Sequence, residues 1–169
     1  MKSLLLFAAM SITAFAASGQ KPNTQSPLTE IHGSTSSGTT IYIRYNQPSV
    51  RGRNIGKNLE PLPGKVWRTG ADSTTVFEIN KAVKVEGKSL PAGRYALFTI
   101  ANGDDWTIIF NKDVHKWGAF SYKESEDVLR VNVKAKKASP FQEKFTITVS
   151  KDGQIHLLWG DYDVPFKVV

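Results

Sequence analysis

From Thr39 to the C-terminus, apolar residues recur at every second position in short runs, and each run stops at a cluster of turn residues. That period is the signature of a strand with one buried face. Ile41, Ile43 and Tyr45 alternate with Tyr42, Arg44 and Asn46, and Thr75, Phe77 and Ile79 alternate with Val76, Glu78 and Asn80. Val83 and Val85 flank Lys84 in the same way. Tyr95 to Ile100 and Trp106 to Phe110 are more continuously apolar, as strands covered on both faces are. Further runs lie at 128–133, 145–149, 155–159 and 164–168. Asn102-Gly103 and Asp152-Gly153 stand between such runs and signal hairpins. No amphipathic helix of three turns occurs, and at most a helical turn is expected, near Asp113 to Phe120. The chain is therefore expected to be all-β: an antiparallel β-sandwich, jelly-roll-like or a partly closed barrel, of roughly nine strands. Trp106 and Phe145 are expected in its core.

The N-terminus reads as an address. Lys2 precedes the apolar stretch that starts at Leu4 and runs to Ala17, and small residues follow before Gln20. This is the pattern of a secretory signal peptide at 1–19, too short for a membrane span. Residues 20–38 carry Pro22, Pro27 and many Ser, Thr and Asn, and read as a flexible linker. A single β-sandwich domain is expected over 39–169. The chain has no cysteine, so neither a lipid anchor nor a disulfide is available. Stability must come from a core, which a domain near this size can supply. An exported, soluble protein of the periplasm or the medium is expected.

The formal charge is +7, from 22 basic and 15 acidic residues. Much of the excess falls between Arg44 and Lys65 and at Lys134, Lys136 and Lys137. Nucleic-acid binding calls for cations interleaved with stacking aromatics along a groove. That pattern and an export signal do not go together, so no nucleic-acid partner is expected.

The stretch from Arg44 to Asp72 concentrates arginines, side-chain amides and aromatics among glycines and prolines. Arg51-Gly52-Arg53 follows Pro48 in a loop, where two forked guanidinium groups can converge on a carboxylate, sulfate or phosphate. The same triplet is also what a solvated basic loop contains. In Trp67-Arg68-Thr69-Gly70 a guanidinium can stack on an indole and be held rigid. The alternative is a core tryptophan whose neighbour points to solvent by strand alternation. The candidate ligand-binding set is Arg44, Asn46, Arg51, Arg53, Trp67, Arg68 and Asp72. Arg44, Trp67 and Arg68 are expected to line one concave surface, with Arg51 or Arg53 at its rim.

Other chemistries find little support. His32, His115 and His156 are far apart and show no metal-ligand spacing. Asp161-Tyr162-Asp163 and Glu124-Ser125-Glu126-Asp127 offer oxygens for calcium but follow no EF-hand pattern. Neither a metal nor a cofactor is expected. There is no Gly-x-Ser-x-Gly elbow and no cysteine nucleophile. Asp72 and Glu78, at and just beyond the end of the polar stretch, are the acids considered for acid–base work across a cleft. Leu90-Pro91-Ala92-Gly93-Arg94-Tyr95 reads as a structural turn into a strand.

Several blocks taken in order resemble one family. They are Gln47-Pro48-Ser49-Val50-Arg51-Gly52-Arg53, Gly64 to Ala71, Leu90 to Phe98, Trp106 to Asn111, Trp117-Gly118 and Glu126 to Val131. Together they resemble the exported bacterial family catalogued as domain of unknown function 2911, over nearly all of 39–169. The resemblance implies a signal peptide and a β-rich domain, and it brings no activity and no catalytic residues. The leading expectation is a non-catalytic binding module for a polar, anionic or glycan ligand. The alternatives are an envelope glycan or ester hydrolase using Asp72 or Glu78, and an interaction protein whose basic loop meets an acidic partner.

Overall fold

The computed structural model describes residues 25–115 and 117–169. The leader expected at 1–19 lies outside the described residues. Eleven strands follow one another: β1 (Leu28–Ser34), β2 (Thr40–Asn46), β3 (Val66–Trp67), β4 (Ala71–Ile79), β5 (Val83–Val85), β6 (Lys88–Leu90), β7 (Gly93–Asn102), β8 (Asp105–Asn111), β9 (Asp127–Lys134), β10 (Lys136–Val149) and β11 (Gln154–Lys167). All named pairings are antiparallel. One sheet runs β1-β2-β4-β7-β8-β9, with β3 added to β7. The long β10–β11 hairpin forms the second layer, and β5–β6 is a small hairpin tied to the C-terminus through Val85 and Val168. The arrangement is a sandwich rather than a closed barrel.

The alternation seen in the sequence builds the core. Ile41, Ile43, Phe77, Ile108 and Phe110 point inward from the sheet, and Phe145, Ile147, Ile155, Leu157 and Phe166 meet them from the hairpin. Each such side chain contributes about 1.5–3 kcal/mol by leaving water. Trp106 and Phe145 are buried there, as expected. The continuous apolar runs of β7 and β8 also follow expectation. Their outward residues Phe98 and Ile109 form a second cluster with Ala119 and Tyr122 of the loop after β8.

The structure corrects two local readings. Residues 20–38 are not all linker: β1 lies within them and pairs with β2 along its length, from Leu28 opposite Asn46 to Ser34 opposite Thr40. An edge strand needs only one covered face, and here Ile31 packs on the core while Leu28 and Glu30 stay exposed. Its composition is therefore that of a linker. Near 113–120 the described residues form turns, and the one helical element is a 3-10 turn at Glu124–Glu126. The expected hairpins are present, the first with Gly103-Asp104 at its centre and Asn102 paired with Asp105. Among the described residues no helix is long and apolar enough to cross a membrane.

β11 turns a corner at Gly160, whose φ is +58°. A Cβ there would lie 2.4 Å from Ile55 Cδ1. Left-handed backbone and close approach both demand glycine. Beyond the corner, Asp163 Oδ1 reaches back to His156 Nδ1 at 2.6 Å. His156 is thus half-buried and paired, not simply turned to solvent as strand alternation suggests.

Candidate functional site

The turn from Trp67 to Gly70 sets the position of Arg68. Trp67 is 1% exposed, stacks on Trp159 with ring centroids 6.5 Å apart, and meets the edge of Phe145. Its Nε1 donates to the Gly70 carbonyl at 3.0 Å. Thr75 closes the turn from β4: its Oγ1 donates to the Thr69 carbonyl at 2.6 Å and its amide to the Arg68 carbonyl at 3.2 Å. Thr69 has φ +56°, a conformation that a β-branched residue adopts only when its surroundings impose it. Gly70 leaves no room either, since a Cβ would sit 3.0 Å from Thr75 Oγ1 and 3.1 Å from the Asn46 carbonyl. With Trp67 and Thr69 locked inward, Arg68 is left facing the surface on a rigid mount.

The loop after β2 supplies the facing wall. The Val50 amide donates to the Glu143 carbonyl and the Arg51 amide to Glu143 Oε1, both at 2.8 Å, so the loop is pinned on β10. Arg53 folds back on its own loop: Nε donates to the Val50 carbonyl at 3.1 Å and Nη2 to the Ser49 carbonyl at 2.6 Å. Arg51 Nη2 donates to the Gln25 carbonyl at 3.3 Å. Glu60 is anchored by its carbonyl, which accepts from Trp159 Nε1 at 2.8 Å.

Between these walls lies a cleft of about 250 Å³. Arg51, Arg53 and Arg68 line it, with Ser49, Asn58 and Glu60, over a floor of Trp67 and Trp159 edges. Glu60 is the only carboxylate on its wall. Glu60 Oε2 accepts from Arg68 Nη1 at 2.8 Å, a single-pronged bond. Arg68 Nε is buried without a hydrogen-bond partner, so the guanidinium is held at one end and left short of acceptors. The guanidinium groups of Arg51 and Arg53 reach no carboxylate among the described residues. The other arginines do: Arg44 pairs with Glu30, Arg94 with Glu78, and Arg130 with Asp127 and Glu124.

The candidate set therefore divides. Arg51, Arg53 and Arg68 come together in the cleft. Arg44 does not join them, because alternation along β2 turns it to the outer face of the sheet, 3.8 Å from Glu30 of β1. The expected meeting of Arg44 with Arg68 is thus corrected. Trp67 belongs to the cleft only as its floor: its ring faces are taken by the core, so it offers no stacking platform. Asn46 stands behind the wall, donating to the Ser26 carbonyl and accepting from Ser73 Oγ. Asp72 is exposed with φ +54° and is not part of the cleft lining; its carbonyl accepts from the Gly118 amide. Glu78 pairs with Arg94 across β4 and β7, also outside the cleft. No two carboxylates face each other across it.

Sequence reasoning missed Glu60, Asn58, Trp159 and the Gln25–Ser26 segment. Glu60 left a signal: it is the only acid between Arg44 and Ala71, and a rigid arginine beside it needs a counter-charge. Gln25 and Ser26 were hidden in the supposed linker.

A second polar cluster sits on the outer face, at the far end of the loop after β8. Asp127 accepts from Tyr122 Oη and Arg130 Nε, both at 2.6 Å, and from Asn111 Nδ2 at 2.8 Å. Arg130 Nη2 donates in turn to Tyr122 Oη. Burial, and then the hydrogen bond to Asp127, push the Tyr122 phenol up to about 12. Among the described residues no group of three or more His, Asp or Glu side chains is placed to hold a metal ion.

A family model described as "Protein of unknown function (DUF2911)" matches residues 26–168. No curated protein and no solved structure matches.

Proposed function

The chain belongs to the family described as Protein of unknown function (DUF2911), and we propose that it is a binding module that captures an oxyanion in the arginine cleft. The ligand group is a carboxylate, sulfate or phosphate borne by a small polar molecule or a sugar. In the exported setting that the leader pattern implies, the cleft works outside the cytoplasm. One observation carries the reading. Of the chain's six arginines, the two whose guanidinium groups reach no carboxylate among the described residues, Arg51 and Arg53, line the same cleft, beside an Arg68 that is bonded at one end only.

Magnitudes favour an outside acceptor. A guanidinium held by backbone carbonyls satisfies some of its donors but keeps its charge uncompensated. A hydrogen bond to a charged partner adds about 1.5–3 kcal/mol. The cleft volume of about 250 Å³ falls below the ~300–1,000 Å³ of ordinary ligand pockets, which suits one anionic group or one sugar ring. A lone Glu60 gives no acid–base pair, so the geometry supports binding better than glycoside hydrolysis.

Calorimetric titration at low ionic strength tests this, with galacturonate, sulfate and phosphate as probes. At least one should bind, and Arg51→Ala, Arg53→Ala and Arg68→Ala should each weaken it about tenfold, the lower end of a charge-assisted bond. No binding of any probe at millimolar concentration, or equal binding by wild type and all three variants, would refute the reading.

A further inference from the structure

The cleft does not stand alone. Arg53 also lines a neighbouring hollow of about 250 Å³, with Lys57, Phe141, Asp161 and Tyr162. Asp161 and Tyr162 in turn wall a third hollow of about 390 Å³ that includes Lys136 and Lys137. The three share walls in series, so they form one track running from the loop after β2 past the corner of β11 to the start of β10.

We infer that this track takes an acidic oligosaccharide, a chain of sugars carrying carboxylate or sulfate groups, whose terminal anion sits among Arg51, Arg53 and Arg68. The inference rests on the reading of the arginine cleft given above. Three observations support it. Lys57, Lys136 and Lys137 reach no carboxylate within ion-pair distance among the described residues, and neither do Arg51 and Arg53. These five cations outnumber the three acids beside them that enter no ion pair among the described residues, Asp104, Asp161 and Glu143. Phe141 is 50% exposed in the middle of the track and presents an apolar ring that a sugar's C–H face can cover. β10 is irregular at this point, with register shifts between Lys137 and Gln142 and with Pro140 in the interval. It offers no continuous row of backbone donors, so a peptide cannot add there as a strand. Single-stranded nucleic acid stacks successive bases on successive rings, whereas Tyr162, the other ring on the track, is packed against Trp106 at 5.6 Å.

The test compares mono-, tri- and hexagalacturonate by calorimetry on the protein as produced from the full chain, with hexaglutamate and a thymidine hexanucleotide as charge-matched controls. Hexagalacturonate should bind at least about tenfold tighter than galacturonate, since each added contact becomes intramolecular once the end is held. Phe141→Ala and the double change Lys136→Ala with Lys137→Ala should bring the hexamer down toward the monomer's affinity and leave the monomer unchanged. Arg51→Ala should weaken both. All these positions are exposed, and an unchanged melting temperature confirms that each variant folds. Equal affinity for monomer and hexamer overturns the track while leaving the cleft reading intact. Hexamer binding that Arg51→Ala and Arg53→Ala do not touch overturns both. Hexaglutamate or the oligonucleotide binding as tightly as hexagalacturonate overturns the assignment to a glycan.

Discussion

Two regions of this domain, one built on a single arginine and one on three, use the same chemistry to opposite ends. Around Asp127, one carboxylate with a 7% exposed side chain is met by Tyr122, Asn111 and Arg130, and Arg130 has a second acid in Glu124. Donors and acceptors match inside the protein. Around the cleft stand three arginines and one carboxylate: Arg68 alone reaches it, and the guanidinium groups of the other two lean only on backbone carbonyls. The first cluster fastens the loop after β8 onto the sheet. The second is charge without an internal counter-charge: Arg51 and Arg53 are exposed, so water balances them and an added anion meets cations that no internal pair competes for. The contrast separates polar groups that hold the fold from polar groups that the proposed reading assigns to a ligand.

The largest effect expected from this contrast is on stability. Asp127→Ala leaves Arg130, Tyr122 and Asn111 without their shared acceptor and should destabilise the domain by about 3 kcal/mol, the scale for breaking a buried charge pair. Urea denaturation measures it. The double variant Arg51→Ala with Arg53→Ala should change stability by less than about 0.5 kcal/mol, as exposed substitutions do, while weakening galacturonate binding more than tenfold by calorimetry. A comparable loss of stability in both variants would erase the distinction.

Glu60→Gln sharpens the comparison from the other side. It keeps an acceptor for Arg68 and removes the one negative charge in the cleft. Anion affinity should rise about threefold to tenfold, on the scale of a partly exposed ion pair. An unchanged or lower affinity would mean that Glu60 is part of the ligand's own contacts.

The smallest effect concerns alkaline pH. The Tyr122 phenol has a folded pKa of about 12 against 10.0 when unperturbed. The neutral phenol is therefore favoured by the fold. That contribution is complete below pH 10 and is lost as pH rises toward about 12. Tyr122→Phe should flatten part of this decline in thermal melts taken across that range. The cleft variants should leave the decline as it is.

The sandwich was legible because its signal is redundant. Strands such as Thr40–Asn46 and Gln154–Lys167 repeat inward residues every second position, and turns such as Asp152-Gly153 punctuate them. β1 was not legible, because its covered face is Thr29, Ile31 and Gly33, and one large apolar residue in three gives no apolar period to read. The site was half legible. Loop arginines at 51 and 53 and the rigid turn at Arg68 were visible as residue types in odd places. Their convergence was not, since it depends on Glu143 of β10 pinning one loop and Trp159 of β11 anchoring Glu60, both about a hundred residues away in the chain. Arg44 was misplaced for the same reason. Its true partner, Glu30, lies on the strand that the sequence concealed.

The proposed anion site consists of Arg51, Arg53 and Arg68 and excludes the remaining arginines. Nitrogen–proton spectra that resolve arginine Nε–H signals test it residue by residue. On addition of galacturonate, the Nε–H signals of Arg51, Arg53 and Arg68 should move together along one binding curve, while those of Arg44, Arg94 and Arg130 stay in place. Movement confined to the latter three, or no movement of the cleft arginines at millimolar ligand, would contradict the account.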